Sequence, residues 1–269
     1  MATTIAANAW VDPRAEIDED VEIGPFCTIG PGARIGRGTR LLNHVTLMGS
    51  VTLGRDNVLF PNVVIGAEPQ DVSYEGSDTR VEIGDGNTFR EGVTVNRASE
   101  KEDGITRIGS RNFLMANCHV AHDCKLGDHI QIANGTLLAG HVHVHDHASI
   151  SGGCGIHQFV TIGSYSFLGS ISRALHDLPP FMLCEGIPAQ PRCINIVALK
   201  RNDFTRDRID PLAAAHKLLY RAKVGLAQAR DVLAANDQMS PDVIDLLTFI
   251  EGQHQGRHGR GRDALRRAA

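Results

Sequence analysis

Every sixth residue from Val11 to Ile65 is aliphatic: Val11, Ile17, Ile23, Ile29, Ile35, Leu41, Leu47, Leu53, Leu59 and Ile65. Ile, Leu and Val make up about a quarter of the chain, so ten straight hits by chance come to on the order of one in a million. The period returns from Ile108 to Leu168, eleven positions in a row, but out of phase with the first array. Between the arrays, Ile83, Phe89 and Val95 keep the first phase. A period of six fits neither a 3.6-residue helix nor an alternating strand. It fits a coil with three flat faces of six residues each, in which one aliphatic side chain per face points inward and stacks on its equivalents above and below. The expected fold is therefore mainly β: a parallel β-helix of hexapeptide repeats, left-handed as is usual in this class. Much glycine (28 residues) with little aromatic content (5%) suits such a thin, tightly turning core.

Two polar stretches, 67–80 and 98–106, interrupt the period and are predicted to be excursion loops. The β-helix is expected over 1–190. Helical patterning follows over 191–252, with a helix opening at Asp210 and Pro211, a second over 225–235, and a third opened by Ser240 and Pro241 and stopped by Gly252. The last stretch, 253–269, carries five Arg against one Asp and reads as a flexible, solvated basic tail.

The net charge is −4, and since the tail holds +4 the body stands at −8, a poor match for nucleic acid. No run of eighteen apolar residues predicts a membrane span. The first eighteen residues lack the basic and apolar segments of a signal peptide. Six cysteines without a CxxC pair predict reduced thiols in a cytoplasm.

Eight of the thirteen histidines fall in 119–157. An eighteen-residue turn decides which can meet. His122, Gly140 and Gln158 form one column, and Asp123, His141 and Phe159 the next. With His157 they share one patch of wall. That patch offers a general base (His122), a carboxylate beside it (Asp123), a glycine amide for a developing oxyanion (Gly140) and polar groups for a ligand. His143, His145 and His147 alternate with Val142, Val144 and Asp146 and read as surface, and His129 and His44 call for no function. Cys118 and Cys124 flank the cluster, but their spacing is no zinc pattern, and buried small residues are the simpler reading.

The segments NCHVAHDCKLGD (117–128), LLAGHVHVHD (137–146), HQFVTIG (157–163), DLPPF (177–181) and NIVALKRNDF (195–204) closely resemble the UDP-N-acetylglucosamine O-acyltransferases of lipid A biosynthesis. So do IGAEPQDVSYEGSDTRVEIGDGN (65–87) and HKLLYRA (216–222). The resemblance implies a cytoplasmic homotrimer of left-handed β-helices with sites between subunits. It implies transfer of a 3-hydroxyacyl chain from acyl carrier protein to the glucosamine 3-hydroxyl of UDP-GlcNAc, with no metal or other cofactor. It also implies His122 as general base, Asp123 as its partner and Gly140 as oxyanion donor. Substrate contacts would fall on Gln70, Asp71, His119, His141, His157, Gln158, Asn195 and Arg201. Ser170 would stand at the stop that limits acyl length.

Four positions depart from the family pattern. Ser73 stands where a lysine is usual, Asn96 where a histidine precedes Arg97, Val197 where a glutamate follows Asn195, and Ser170 where a Gly-Gly pair is completed. They leave open a 3-amino UDP-sugar as acceptor. The histidine excess leaves open a different class, the zinc lyase known as γ-type carbonic anhydrase, on the same scaffold.

Overall fold

Inward stacking at a constant eighteen-residue offset builds the molecule. The computed structural model describes residues 2–257 together with 259, 261 and 262. Two- to four-residue strands lie on three faces, in parallel sheets of eleven, nine and eight strands, the first closed by an antiparallel hairpin, and the coil is left-handed. Val58 pairs with Arg40 on one side and Thr88 on the other, and Thr88 pairs with Phe113. The offset thus rises from 18 to 30 across the first loop and to 25 across the second. The first loop adds two hexads and preserves the phase. The second adds one residue more than a hexad, which is why the two arrays in the sequence are out of step.

The periodic aliphatics form the core: Ile29, Leu59, Ile65, Leu114, Ile132, Leu138 and Leu168 are all fully buried. Removing such a side chain to Ala typically costs 2–5 kcal/mol. Small residues four positions on, among them Cys27, Cys118, Cys124 and Cys154, are buried too, and their thiols reach carbonyl oxygens of the next coil. Burial pushes the Cys124 thiol up to about 12. One corner is sewn by an asparagine ladder. Asn57, Asn87 and Asn112 each accept, at Oδ1, from the backbone N–H of the equivalent residue in the next coil, and donate through Nδ2 to glycine carbonyls.

An antiparallel hairpin, Met182–Gly186 with Ala189–Ile194, carries the sheet across the boundary expected at 190. The helices follow: α1 Ile196–Arg201, α2 Arg206–His216 with a π turn over Lys217–Arg221, α3 Leu226–Ala235 and α4 Pro241–His254. Ser240 caps α4 as expected, its hydroxyl accepting from the Val243 N–H. Two expectations fail. Pro211 lies inside α2, which begins a turn earlier after Thr205, and Gly252 does not stop α4 but is buried in its last turn. Both residues carry a breaker's reputation, yet packing of Leu212 and Ile250 on either side holds the helix through them.

Helix α4 and the segment after it also revise the reading of the histidines. His145 meets Phe249 of α4 edge-on at 6.2 Å. His143 Nε2 is 2.6 Å from the Arg262 guanidinium, so Arg262 is docked rather than solvated. Residues 258, 260 and 263–269 of the expected flexible tail lie outside the described residues. His147 is stacked between His129 (4.7 Å) and Tyr165 (4.6 Å). The valine alternation reads as bare surface because nothing in the repeat reveals that a helix covers that face.

Burial holds His119, His143, His145, His147 and His216 below the ordinary imidazole value of 6.5, and His143, with the Arg262 charge near it, goes down to about 3. The unfolded chain therefore binds more protons than the folded one as pH falls through that value, and stability is lost towards acid. Asp177, pushed up to about 6 by burial, opposes this only lower in the range. The melting temperature at fixed protein concentration should fall between pH 7.5 and 6. His143→Gln, which keeps an acceptor for Arg262, should flatten the slope, and a slope unchanged in this variant would mean that His143 is not one of its sources.

Candidate active site

The corner between the nine-stranded and eight-stranded sheets gathers the expected chemistry. There the chain turns through left-handed conformations at Asp123, His141 and Phe159, with φ of +60°, +63° and +67°. Such turns are costly for side chains other than Gly, Asn and Asp, and at His141 and Phe159 they stack two rings face to face, 4.4 Å apart. The column is therefore held by ring packing, as is the corner where His129, His147 and Tyr165 stack.

His122 Nδ1 lies 2.8 Å from Asp123 Oδ2. Asp123 is fully buried. Its carboxylate accepts from the Ser99 N–H (3.1 Å) and the Ser99 hydroxyl (2.6 Å), and its own N–H donates to Thr106 Oγ1 at 2.9 Å. Burial works to raise this carboxyl, but the hydrogen bonds from His122 and Ser99 and the nearby His141 outweigh it and hold it below the usual carboxylate value. An ionised Asp123 at Nδ1 places the proton on that nitrogen and leaves Nε2 with its lone pair, an assignment from geometry.

Gly140 packs against the face of the His122 ring. A Cβ added there would stand 2.5 Å from Cε1 and 2.7 Å from Nε2, so only glycine admits this ring position. Among the described residues, no acceptor lies on the Gly140 N–H. His122 and Gly140 line an open cleft of about 590 Å³ with Gln70, His119, Leu137, His157, Gln158 and Arg173. His119 is fixed from below, its Nδ1 lying 2.7 Å from the Thr94 hydroxyl.

Of the other expected contacts, His141 stands just behind the dyad, edge-on to His122 at 5.2 Å, its Nε2 3.8 Å from Asp123 Oδ2 and its Nδ1 2.8 Å from Glu102. Asp71 sits on the first loop, where Lys101 of the second loop and the Ser73 hydroxyl (2.8 Å) bind its carboxylate and hold it well below the usual range. Lys101 thus brings a positive charge beside Ser73, where the chain lacks the usual lysine. Asn195 and Arg201 are not in this cleft. They line a second one, of about 670 Å³, with Arg111, His129, His147 and Val197 at a different corner of the coil. Asn195 also caps α1, its oxygen accepting from the Ala198 N–H at 3.3 Å while its amide donates to the Tyr165 carbonyl. Ser170 is exposed at the turn before the strand Arg173–Ala174 and lines neither cleft of the single chain. Asn96 is buried and donates to the Glu68 carbonyl at 2.7 Å, helping to tie down the base of the first loop.

His122, Asp123 and His141 form the one group among the described residues that could hold a metal ion. In this structure its groups are engaged in hydrogen bonds. The oxygen both imidazoles face, Asp123 Oδ2, already accepts from His122 and Ser99. His141 Nδ1 is turned away towards Glu102.

Residues that sequence reasoning misses are the supports from the second loop: Ser99, Lys101 and Glu102. Their partners lie 24, 30 and 39 residues away, off the eighteen-residue period, so column arithmetic cannot find them.

Comparison with known proteins agrees with this fold. Residues 177–260 match the family model described as UDP N-acetylglucosamine O-acyltransferase, domain 2, and residues 2–37 and 105–140 match the bacterial transferase hexapeptide repeat. The acyl-[acyl-carrier-protein]–UDP-N-acetylglucosamine O-acyltransferase of Albidiferax ferrireducens is 47% identical over 253 residues, 93% of this chain and 96% of its own length. That of Herminiimonas arsenicoxydans is 43% identical over 256 residues, 94% and 98% of the two chains. The crystal structure of the UDP-N-acetylglucosamine acyltransferase from Bacteroides fragilis superposes with a TM-score of 0.89 at 33% identity, covering 92% of this chain and 97% of that one. Full-length identity at this level, with the same coil and the same helical end, makes the chain an O-acyltransferase and a member of the UDP-N-acetylglucosamine O-acyltransferase family.

Proposed function

We propose that this enzyme moves a 3-hydroxyacyl chain from acyl carrier protein to the 3-hydroxyl of UDP-GlcNAc, with His122 as general base. The observation that carries the reading is the His122–Asp123 pair, with His122 lining the cleft beside Gly140, whose N–H has no acceptor among the described residues. A sugar hydroxyl is a weak nucleophile. Nε2 takes its proton as the oxygen attacks the thioester carbonyl, and the resulting oxyanion accepts from the Gly140 N–H. Collapse expels the carrier thiolate, which recovers the proton from His122, leaving a new ester and a free thiol. Asp123, anchored by Ser99, stabilises the transient imidazolium. The relatives' names carry the same donor and acceptor.

The active assembly is a trimer. One wall with an open cleft cannot enclose a nucleotide sugar and a long acyl chain, while the Asn195 and Arg201 cleft lies at a different corner of the coil. In a three-fold arrangement the two corners of neighbouring chains face each other and complete one site, with Asp71 reaching in from its loop. The setting is cytoplasmic, and no helix among the described residues is long and apolar enough to cross a membrane.

Three measurements test this reading. His122→Ala should lower kcat by about 10²–10⁴-fold with little change in melting temperature, since the ring lies outside the coil core. Gly140→Ala should approach that loss by pushing the ring aside, and a full rate in His122→Ala would remove the base assignment. Mass spectrometry of products should show the ester when UDP-GlcNAc and its 3-amino analogue are offered with a series of hydroxyacyl carrier-protein thioesters. Ser170→Gly should shift the preferred chain longer, and an unchanged profile would place the ruler elsewhere. Sedimentation should give the mass of three chains, whereas a monomer at assay concentration would rule out the shared site.

A further inference from the structure

We propose that Arg262 is a positioning residue for the catalytic corner, clipping the main chain of His141 and Phe159 from outside and so fixing His141 behind the His122–Asp123 pair. The inference rests on the reading of that pair as the site of proton transfer.

His141 and Phe159 occupy equivalent positions in successive coils. Their N–H groups join the ladder, to the carbonyls of His122 and Gly140. Their carbonyl oxygens instead meet Arg262, whose single Nη2 lies 2.5 Å from the His141 oxygen and 2.7 Å from that of Phe159. Nη1 meets His143 Nε2 at 2.6 Å. The guanidinium also lies 5.8 Å from the centre of the Phe159 ring. One planar group therefore ties three residues of two coils. Gly259 lies close over the next residue of the same column: a Cβ there would be 2.6 Å from Asp177 Oδ1.

The clip bears on chemistry through the His141 ring. That ring is wedged between Glu102 and Asp123 and stands perpendicular to His122. A shift of the His141 backbone moves the wedge, and with it the carboxylate that orients the base. Displacement of a catalytic group by about 1 Å can cost 10²-fold in rate. The coil core does not depend on the clip, because the aliphatic stack continues through Val142, Val144 and Val160 regardless.

The test is a set of variants assayed as the intact enzyme. Arg262→Ala should lower kcat about tenfold, with KM for UDP-GlcNAc changed by less than about twofold. Arg262→Lys, whose one nitrogen replaces Nη2 but leaves no second donor for His143, should fall between the parent and Arg262→Ala. Guanidinium ion at millimolar concentration should restore part of the Arg262→Ala rate and none of the His122→Ala rate. In a His141→Ala background the Arg262→Ala change should cost nothing further, since no wedge remains to be held. A kcat within twofold of the parent, or an equal loss in both backgrounds, would overturn the proposal. Should Arg262→Ala fold poorly, Arg262→Lys in the two backgrounds tests the same coupling with the same outcomes. If His122→Ala instead keeps its rate, the base assignment falls, while a coupling between Arg262 and His141 would stand on its own.

Discussion

A coil of eighteen residues buries three aliphatic side chains, one from each face, and every coil must place them directly above the last. Everything else in the chain is subordinate to that stacking. Strands can be as short as two residues because those inside each sheet are paired on both sides and their inward side chains are enclosed by their equivalents. Corners must reverse direction within a few residues, which admits left-handed conformations at Asp123, His141 and Phe159. The corner proposed for catalysis is thus a by-product of coil closure, specialised by what is hung on it.

The proposed catalytic apparatus exploits the same stacking. Residues 18 apart are one strand spacing from one another, so His122 and Gly140 are brought face to face by the repeat itself. What the repeat cannot supply is a reason for the imidazole to hold one orientation. That comes from the loop 98–106, whose Ser99 saturates the Asp123 carboxylate and whose Glu102 turns His141. A rigid coil sets positions, and an irregular loop sets hydrogen bonds.

This division explains what can be read from the residues alone. The arrays from Val11 to Ile65 and from Ile108 to Leu168 specify the coil, and column arithmetic brings His122, Asp123, Gly140, His141 and Gln158 to one patch, as the structure has them. It cannot reach Ser99 or Glu102, because a segment outside the period has no column. It misjudges His143 and His145, whose covers, Arg262 and Phe249 of α4, lie more than a hundred residues away. Local signals also misplace the ends of α2 and α4, where burial of Leu212 and Ile250 overrides the habits of Pro211 and Gly252. Asn195 and Arg201 join the site by resemblance, and within one chain they lie elsewhere.

The two loops have a further consequence for how such a chain can vary. Inside a coil, gain or loss of one residue would turn every later aliphatic side chain out of the core. The loop 98–106 shows how that penalty is escaped: its seven extra residues are not a multiple of six, yet Ile108 re-enters the stack directly above Ile83. The excursion absorbs the frame error outside the coil. Insertions and deletions across relatives should therefore gather at these two points, so that the segments most free to change length are also those that carry Asp71 and the Ser99 and Glu102 supports of Asp123 and His141.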